Sequence, residues 1–533
     1  HVDMSSQGRR ATLLQNIDDE GDAEGEFEMQ EPSRQHGHNF SSITSEDHAS
    51  QQPAIAVQEL DAMSSPLAET AARNASYVIN FIVKRAIGST KSGDTPYRNL
   101  LDLFVDDFTT CLDSTDWPSA ELLLRLLMLM MVQLVEAPKT AAPAKNMALE
   151  LLGGMSAAIS RLRSHVKRTA ASFEGGDSDN MSRYLADLAL RVLEQNCLAE
   201  QLVDWAGPYR ATLEHTQARC AEDPHLASAI SFMIVDWACR THTIYNNFTE
   251  EDGNRDASIG KLAYRLRKMI QDRQWLSNEF TFKAVSPAQS KFAYSILLLR
   301  SPLCESFPKI LNILLGSMAS DQATVRSKSL KSVNQVLETD PSILDGDSSV
   351  IQLILECASD SSIQVRDSAL GLLGSCISMR PVLEPTLTPK IIDRFQDAGV
   401  GVRKRAMKLA RDIYLRNRNK SIRTAIANGL LRRIQDPDEG VRDLARQMIE
   451  EIWFVPFYMN DGTASFQTAI TEHVALVIQT VKTGTVTEIL DKVFQAILRP
   501  NNKSLEGPFS VCSKLVGDMF GLLDNPDSED GSI

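Results

Sequence analysis

The sequence predicts an all-α fold of the HEAT-repeat α-solenoid class, and three observations support this. An Asp followed a few residues later by a Val-Arg pair recurs four times, and its arginines are Arg326, Arg366, Arg403 and Arg442, separated by 40, 37 and 39 residues. Each unit of this length holds two helical patterns, as HEAT repeats do. Aromatic residues are 6% of the chain, and no stretch alternates apolar and polar residues as a half-buried strand would.

The second helix of each unit carries one apolar stripe. Apolar or small residues follow the Val at offsets of 4, 7, 8 and 11, which is one face of a helix of 3.6 residues per turn. The members are Val365, Ala369, Leu372, Leu373 and Cys376; Val402, Ala406, Leu409, Ala410 and Ile413; and Val441, Ala445, Met448, Ile449 and Ile452. The copy that begins at Val325 is weaker, because Ser329 and Ser332 interrupt it.

The repeated Asp and Arg have predicted structural roles. Each Asp lies just ahead of the second helix, where its carboxylate can accept unpaired backbone N–H groups. The Arg lies in the first turn of that helix, where the helix dipole disfavours a cation. We therefore expect each Arg to pair with the Asp of its own repeat or of a neighbouring one.

The pattern divides the chain into five segments. Residues 1–65 are acidic and rich in Gln, Ser and His, which predicts disorder. Residues 66–316 are predicted to form an irregular helical solenoid, residues 317–455 regular HEAT repeats, and residues 456–523 further helical repeats. Residues 524–533 read as an acidic tail.

Several classes of protein are disfavoured by the sequence. The chain has no P-loop, HExxH, GxSxG or glycine-rich dinucleotide motif, and its histidines show no metal-ligand spacing, so we expect no enzyme, no cofactor and no metal site. The longest apolar run, Leu122 to Val135, is too short for a bilayer, so no membrane role is expected. The eight cysteines lack any CxxC pair and are read as reduced thiols of an intracellular protein.

Charge is distributed unevenly along the chain. The net charge is −14, yet the stretch from Lys390 to Arg446 contains 15 Lys or Arg and 7 Asp or Glu. Such a positive field suggests a site for a polyanion or for an acidic protein surface. The predicted nucleic-acid-binding residues are Arg403, Lys404, Arg405, Lys408, Arg411, Lys328 and Lys331. The first three are expected to spread across the outer side of their helix, and no acidic residue between positions 403 and 411 is there to pair with them; an ordinary solvated helix face is the alternative.

Several stretches resemble one family. The segment Val402 to Tyr414, the stretch from Val365 to Pro381, the runs beginning at Val325 and at Asp340, Glu451 to Phe454 with Pro456, and Trp117 to Leu124 resemble the large subunit of the cohesin loader, the Nipped-B-like or sister chromatid cohesion protein 2 family. The matching pieces extend from about residue 115 to 455. The resemblance is to a filamentous-fungal member, of which this chain would be an internal fragment.

The resemblance implies a hook-shaped solenoid, located in the nucleus on chromatin, that loads cohesin for sister chromatid cohesion. Its implied partners are the SMC ATPase heads and the kleisin of cohesin and duplex DNA bound without sequence preference, and it would stimulate cohesin's ATPase without being an ATPase. The turn with Asp436, Asp438 and Glu439 is the implied contact with cohesin; a plain inter-helix turn is the alternative. The small TPR-repeat loader subunit would bind the full-length protein outside this fragment.

A second function remains open at this point. A HEAT-repeat scaffold or transport receptor would use the same basic helices to bind acidic protein partners without DNA. Competition with duplex DNA distinguishes the two hypotheses.

Overall fold

The computed structural model describes residues 46–92, 96–174, 179–247, 253–275, 285–346, 348–458, 464–484, 486–497 and 506–524. Helices make up most of these residues, and the described part contains no strand. The predicted all-α HEAT-repeat class is thereby confirmed, whereas the hook shape stays a prediction. Residues 1–45, which belong to the predicted acidic segment, and residues 525–533 of the predicted tail lie outside the described residues.

Among the described residues, thirteen α-helices lie before residue 317: α1 (Glu46–Gln51), α2 (Pro53–Ser92), α3 (Pro96–Thr110), α4 (Ala120–Glu136), α5 (Ala142–Glu174), α6 (Asn180–Leu193), α7 (Ala199–Val203), α8 (Pro208–Arg219), α9 (Leu226–Asn246), α10 (Gly253–Gln271), α11 (Pro287–Leu299), α12 (Pro302–Glu305) and α13 (Phe307–Gly316). Eleven more follow: α14 (Ala323–Thr339), α15 (Ile343–Gly346), α16 (Ser348–Ala358), α17 (Ile363–Met379), α18 (Glu384–Asp393), α19 (Val400–Arg416), α20 (Lys420–Arg433), α21 (Glu439–Trp453), α22 (Ala464–Gly484), α23 (Thr487–Ile497) and α24 (Glu506–Asp524).

The regular repeats form two layers of helices. The first helices are α13, α16, α18 and α20, and each packs against the second helix of its own repeat, namely α14, α17, α19 and α21. The second helices also pack on one another in chain order, and α14 packs on α5, which extends this layer toward the N-terminus. The outer face of the second-helix layer is therefore a continuous surface to which every repeat contributes.

The predicted apolar stripes lie between the two layers. All the stripe residues of α17 and α21 are buried, and so are those of α19 apart from the half-buried Leu409. The serines that weaken the stripe of α14 are buried as well: Ser332 donates to the carbonyl oxygen of Leu149 at 2.8 Å, and Ser329 donates to that of Leu314. Their hydroxyls therefore bond to backbone carbonyls of neighbouring helices and leave no unpaired polar group.

The predicted disorder of residues 1–65 is wrong for residues 46–65. These residues form α1 and the start of α2, where Ala56, Val57 and Leu60 are buried, and α2 packs against α9 and α10. Arg265 of α10 pairs with Glu46 at 2.8 Å, and Arg267 pairs with Glu59. Two acidic residues of this stretch are thus partners of cations that lie about 200 residues further along the chain.

An arginine–aspartate ladder connects the repeats. Arg326 pairs with Asp360 at 2.7 Å, Arg366 with Asp397 at 2.6 Å and Arg403 with Asp436 at 2.9 Å, so each arginine reaches the aspartate of the next repeat. This confirms the expected pairing and resolves it in favour of the neighbouring repeat. Arg442 donates to the carbonyl oxygens of Asp436 and Pro437 at 2.8 and 3.0 Å.

Each rung of the ladder also fixes a turn. Asp360, Asp397 and Asp436 accept the N–H groups of Ser362, Gly399 and Asp438 at 2.7, 2.8 and 3.0 Å. These N–H groups belong to the residues just before each second helix. The aspartates therefore hold the turn, and the expectation that they accept N–H groups of the helix itself is wrong. The arginines bind the same turns through backbone carbonyls. Arg366, for example, donates to the carbonyl oxygens of Asp360 and Ser361 at 2.8 and 3.0 Å.

Candidate nucleic-acid interface

The predicted cations lie on the outer face of two second helices. Lys328 and Lys331 of α14 stand three and six residues after Val325, and Arg405 and Lys408 of α19 stand three and six residues after Val402. Equal offsets in equivalent helices place side chains on the same face of the layer. Since packed helices lie about 8–10 Å apart, the two groups are separated by about 20 Å across α17.

Arg403 is not part of this surface. Its side chain is buried, with the residue 7% exposed, and it donates to Asp436 at 2.9 Å and to the carbonyl oxygen of Asp397 at 2.7 Å. The prediction that it spreads outward with its two neighbours is therefore wrong. The physical reason is the repeat pattern itself, because Arg403 is the ladder arginine of its repeat and the predicted cluster combined a structural cation with surface ones.

Lys404 and Arg405 reach the surface but do not lack acidic partners. The Nζ atom of Lys404 lies 3.7 Å from Asp438, and the Nε atom of Arg405 lies 2.7 Å from Asp367. Both side chains remain well exposed, at 37% and 47%. Ion pairs of this exposure contribute about 0–1 kcal/mol, so a phosphate could replace the carboxylate at little cost.

Arg411 and Lys328 are more firmly held. Arg411 pairs with Asp412 at 2.7 Å and with Glu451 of α21 at 2.5 Å, and these carboxylates raise its pKa against the opposing effect of burial. Lys328 pairs at 2.7 Å with Glu150 of α5, which also binds Arg98 at 3.0 Å. Although desolvation raises the pKa of Glu150, the two cations lower it more, and its pKa lies below the usual range.

Lys331 and Lys408 are the free cations of the predicted set. Both are exposed, and neither has a carboxylate within 4 Å among the residues that the structure describes. They occupy the same offset in equivalent helices, two repeats apart. Of the predicted cations on the outer face, Lys331 therefore lies free beside the held Lys328, and Lys408 lies free beside the exposed pairs of Lys404 and Arg405.

Sequence reasoning missed the acidic partners because it searched the wrong distance. Carboxylates one helical turn away were sought within α19, whereas Arg405 pairs with a residue 38 positions earlier and Arg411 with one 40 positions later. Those separations equal the repeat length. In a solenoid the neighbour of a surface side chain lies one repeat away, so an acid at that spacing is the signal that could have found them.

The predicted partner-binding turn also combines a buried residue of the ladder with residues nearer the surface. Asp436 is buried and belongs to the ladder, where Arg403 and Arg433 contact it at 2.9 and 3.2 Å, so its predicted contact with a partner is wrong. Asp438 is half-buried and accepts the N–H of Val441 at 2.9 Å as the N-cap of α21. Glu439 is exposed at the first position of that helix. Of the three predicted residues, the exposed Glu439 and the half-buried Asp438 can therefore reach a partner.

Within the described ranges, no group of three His, Cys, Asp or Glu side chains could hold a metal ion. None of the helices described is both long enough and apolar enough to cross a bilayer.

Comparison with known proteins agrees with the repeat architecture. Residues 331–373 match the family model described as a HEAT repeat associated with sister chromatid cohesion. The chain is similar to Nipped-B-like protein A of Danio rerio, with 27% identity over 410 residues that cover 73% of this chain and 16% of that protein. It is 26% identical to Nipped-B-like protein of Homo sapiens over 419 residues, which cover 74% of this chain and 14% of that protein.

A solved structure matches over most of the chain. It is the C-terminal fragment of the Chaetomium thermophilum cohesin loader SCC2, with 58% identity and a TM-score of 0.74, covering 91% of this chain and 35% of that one. The fold and these matches define a HEAT-repeat solenoid of the sister chromatid cohesion class. The chain belongs to the Nipped-B-like and SCC2 family of cohesin loaders. It spans about one sixth of the curated relatives that it matches first, as the 16% and 14% coverage shows.

Proposed function

We propose that this chain forms part of a non-enzymatic cohesin-loading factor of the nucleus, and that the second-helix layer contacts duplex DNA. Family membership supports the cohesin-loading role in sister chromatid cohesion. The observation that carries the DNA contact is the arrangement of Lys331 and Lys408 as free cations at equivalent offsets on one face. Lys404 and Arg405 flank this face with exposed, easily exchanged ion pairs.

The physical mechanism is electrostatic. Phosphates that replace carboxylates at Lys404 and Arg405 release condensed counterions from DNA, as do phosphates that meet Lys331 and Lys408. The face has no groove-reading motif, and its second helices present their sides, so binding would not depend on base sequence. Arg403 and Asp436 contribute indirectly, because their rung fixes the angle at which α19 and α21 present this face.

Family membership also supports a contact with cohesin itself. A factor of this kind would hold cohesin's SMC heads and kleisin while its DNA face is occupied, and would thereby stimulate cohesin's ATPase. Glu439 and Asp438 border the DNA face at the start of α21 and are the residues we assign to the protein partner. The small TPR-repeat subunit would bind a part of the full-length protein outside this chain.

The test is duplex-DNA binding measured by fluorescence anisotropy across a salt series. The variant Lys404→Glu/Arg405→Glu/Lys408→Glu should weaken binding. It should also reduce the slope of log affinity against log salt concentration by about 2–3. A matched control is Lys139→Glu/Lys261→Glu/Arg273→Glu, which changes the net charge equally at exposed residues outside α5 and the second helices. Equal losses in both variants would mean that only net charge matters and would overturn the assigned face.

A second measurement tests the protein partner. With cohesin and DNA present, the Lys404/Arg405/Lys408 variant should stimulate ATP hydrolysis less than the wild-type chain. If this variant loses affinity for an acidic protein surface but duplex DNA neither binds nor competes, the alternative of a DNA-independent scaffold is correct.

A further inference from the structure

An exposed aromatic and cationic stripe runs along α2, far in sequence from the repeats. Tyr77 and Phe81 lie one helical turn apart and are 75% and 46% exposed. Arg73, Lys84 and Arg85 are exposed on the same side of the helix. Successive residues rotate by about 100°, so these positions fall within about 120° of one another, over a length of about 18 Å. We name these five residues the α2 stripe.

The α2 stripe combines cations with a local absence of acids. Between residues 70 and 92 the sequence has four basic residues and no Asp or Glu, in a chain whose net charge is −14. Within the described part of the chain, no carboxylate lies within 4 Å of Arg73, Lys84 or Arg85. This differs from the predicted DNA face, where most cations are paired with an acid one repeat away. The α2 stripe is thus an unneutralised positive surface.

The apolar part of the surface continues onto the next helix. The ring of Phe81 packs edge-on against that of Tyr97 of α3, with 6.2 Å between the ring centres. Leu100 and Leu103 of α3 are 37% and 60% exposed. Exposed apolar side chains are ordinary when they are scattered, but contiguous ones indicate an interaction site. Phe81 and Tyr97 therefore join the exposed side chains of the α2 stripe to a helix that has exposed leucines of its own.

The position of Arg85 indicates which class of partner the α2 stripe would bind. Its guanidinium carbon lies 5.3 Å from the ring centre of Phe81 and 5.7 Å from that of Tyr97. A guanidinium in this position occupies the ring face on which a nucleobase would stack. No carboxylate among the described residues lies within 4 Å of this guanidinium, so its N–H groups can bind one from a partner. The arrangement therefore favours a protein carboxylate over a single-stranded nucleic acid.

We propose that the α2 stripe and the adjoining face of α3 dock an acidic amphipathic helix of a protein partner. Two apolar side chains of the partner, spaced one turn apart, would pack on Tyr77 and Phe81, as in helix-in-groove recognition. Its carboxylates would meet Arg73, Lys84 and Arg85. Three turns of helix match the 18 Å of the stripe, at about 1.5 Å per residue. Its cations differ from those of the proposed DNA face, so different variants test the two surfaces.

The test begins with selection of binding peptides. A display library of random 16-residue peptides is selected on the whole chain and depleted on the Tyr77→Ser/Phe81→Ser variant. We expect the peptides that depend on the stripe to be acidic, with apolar residues three or four positions apart. No enrichment of such peptides, or enrichment of basic ones, would overturn the proposal.

The most enriched peptide is then measured by fluorescence polarisation. Phe81→Ser and Lys84→Glu/Arg85→Glu should each weaken its affinity at least tenfold, and only the second should also reduce the dependence on salt. The control Leu415→Ser changes an equally exposed apolar residue, 51% exposed, on α19 and should leave affinity unchanged. Because all the altered residues are exposed, every variant should keep the thermal midpoint of the wild-type chain.

Two further probes cover the other partner classes. Vesicles with an anionic lipid and a single-stranded oligothymidine are titrated against the same variants. Binding of either probe that the Tyr77→Ser/Phe81→Ser variant loses, with no stripe-dependent peptide, would assign the surface to a membrane or to nucleic acid and would refute the acidic-helix proposal.

Discussion

Breaking one rung of the arginine–aspartate ladder should cost far more stability than breaking a surface ion pair of similar geometry. Arg366 donates to Asp397 at 2.6 and 2.7 Å and to the carbonyl oxygens of Asp360 and Ser361 at 2.8 and 3.0 Å. The Asp397 side chain is only 2% exposed. Arg366→Met keeps the aliphatic stem but leaves this carboxylate buried without its main partner, which typically costs about 3–5 kcal/mol. Arg394 remains 3.8 Å away, so we expect about 3 kcal/mol.

The assay is urea unfolding followed by circular dichroism, with Arg405→Met as the control. Arg405 makes a 2.7 Å pair with Asp367 but is 47% exposed, so its loss should cost about 0–0.5 kcal/mol. The double variant Arg366→Met/Asp397→Asn should be more stable than Arg366→Met alone, because no buried charge is then uncompensated and the amide oxygen can still accept the N–H of Gly399. Equal costs for Arg366→Met and Arg405→Met would refute the reasoning.

The pH dependence of this rung has a definite sign. Burial raises the pKa of Asp397, but its bonds to Arg366 and Gly399 lower it more, so its pKa in the fold lies below the usual value. The rung therefore contributes fully above the unfolded-state pKa of about 3.9 and is lost as the pH falls through the lower native value. The stability difference between wild type and Arg366→Met should be constant near neutral pH and shrink below about pH 4.

Three further predictions concern other parts of the fold. Burial among Trp453 and Phe457 lowers the pKa of His473 to about 4. Because the unfolded chain binds this proton near pH 6.5, the free energy of unfolding should fall by up to about 3 kcal/mol between pH 6.5 and 4. His473→Phe should remove that pH dependence, as measured by urea titrations at several pH values. Gly153→Ala should destabilise the fold by about 1–3 kcal/mol, because the new Cβ would lie 2.8 Å from that of Ser332. Gly154→Ala, whose Cβ would have its nearest neighbour at 4.0 Å, should instead stabilise α5 by up to about 1 kcal/mol. Thermal unfolding of the two variants checks this, and equal shifts of the midpoint would contradict it. Val402→Asp, at a fully buried position, should unfold its repeat, as seen by fast amide hydrogen exchange in α19, whereas Lys408→Asp should not.

The regular repeats were predictable because their signals are local and periodic. The offsets after Val365, Val402 and Val441 identify the buried stripes, and the dipole argument identifies the arginines as paired. The partner of each arginine was left open between two repeats, since only the packing of successive turns decides it. Family membership was recognisable from the same stretches of sequence, because several of them match jointly.

The surface was harder to predict for a reason of geometry. Whether a cation is free depends on the helix beside it, and in a solenoid that helix comes from another repeat. Arg403 was grouped with Lys404 and Arg405 on sequence adjacency, although neighbouring residues of a helix point about 100° apart. The helix over residues 46–65 was missed because its small buried residues pack on α10, which begins about 200 residues later.

The ladder has a mechanical consequence. Its rungs are connected in series, and each one spans a single joint between neighbouring repeats, so a bending force applied at the two ends must act on every joint in turn. A joint with an intact rung resists bending through two charge-assisted bonds that keep one direction, as those of Arg366 do. Where a rung is absent, as beyond Arg442, the described chain offers no equivalent clasp to the following α22. Bending should therefore occur mainly at that joint, and the repeats from α14 to α21 should move as one rigid unit.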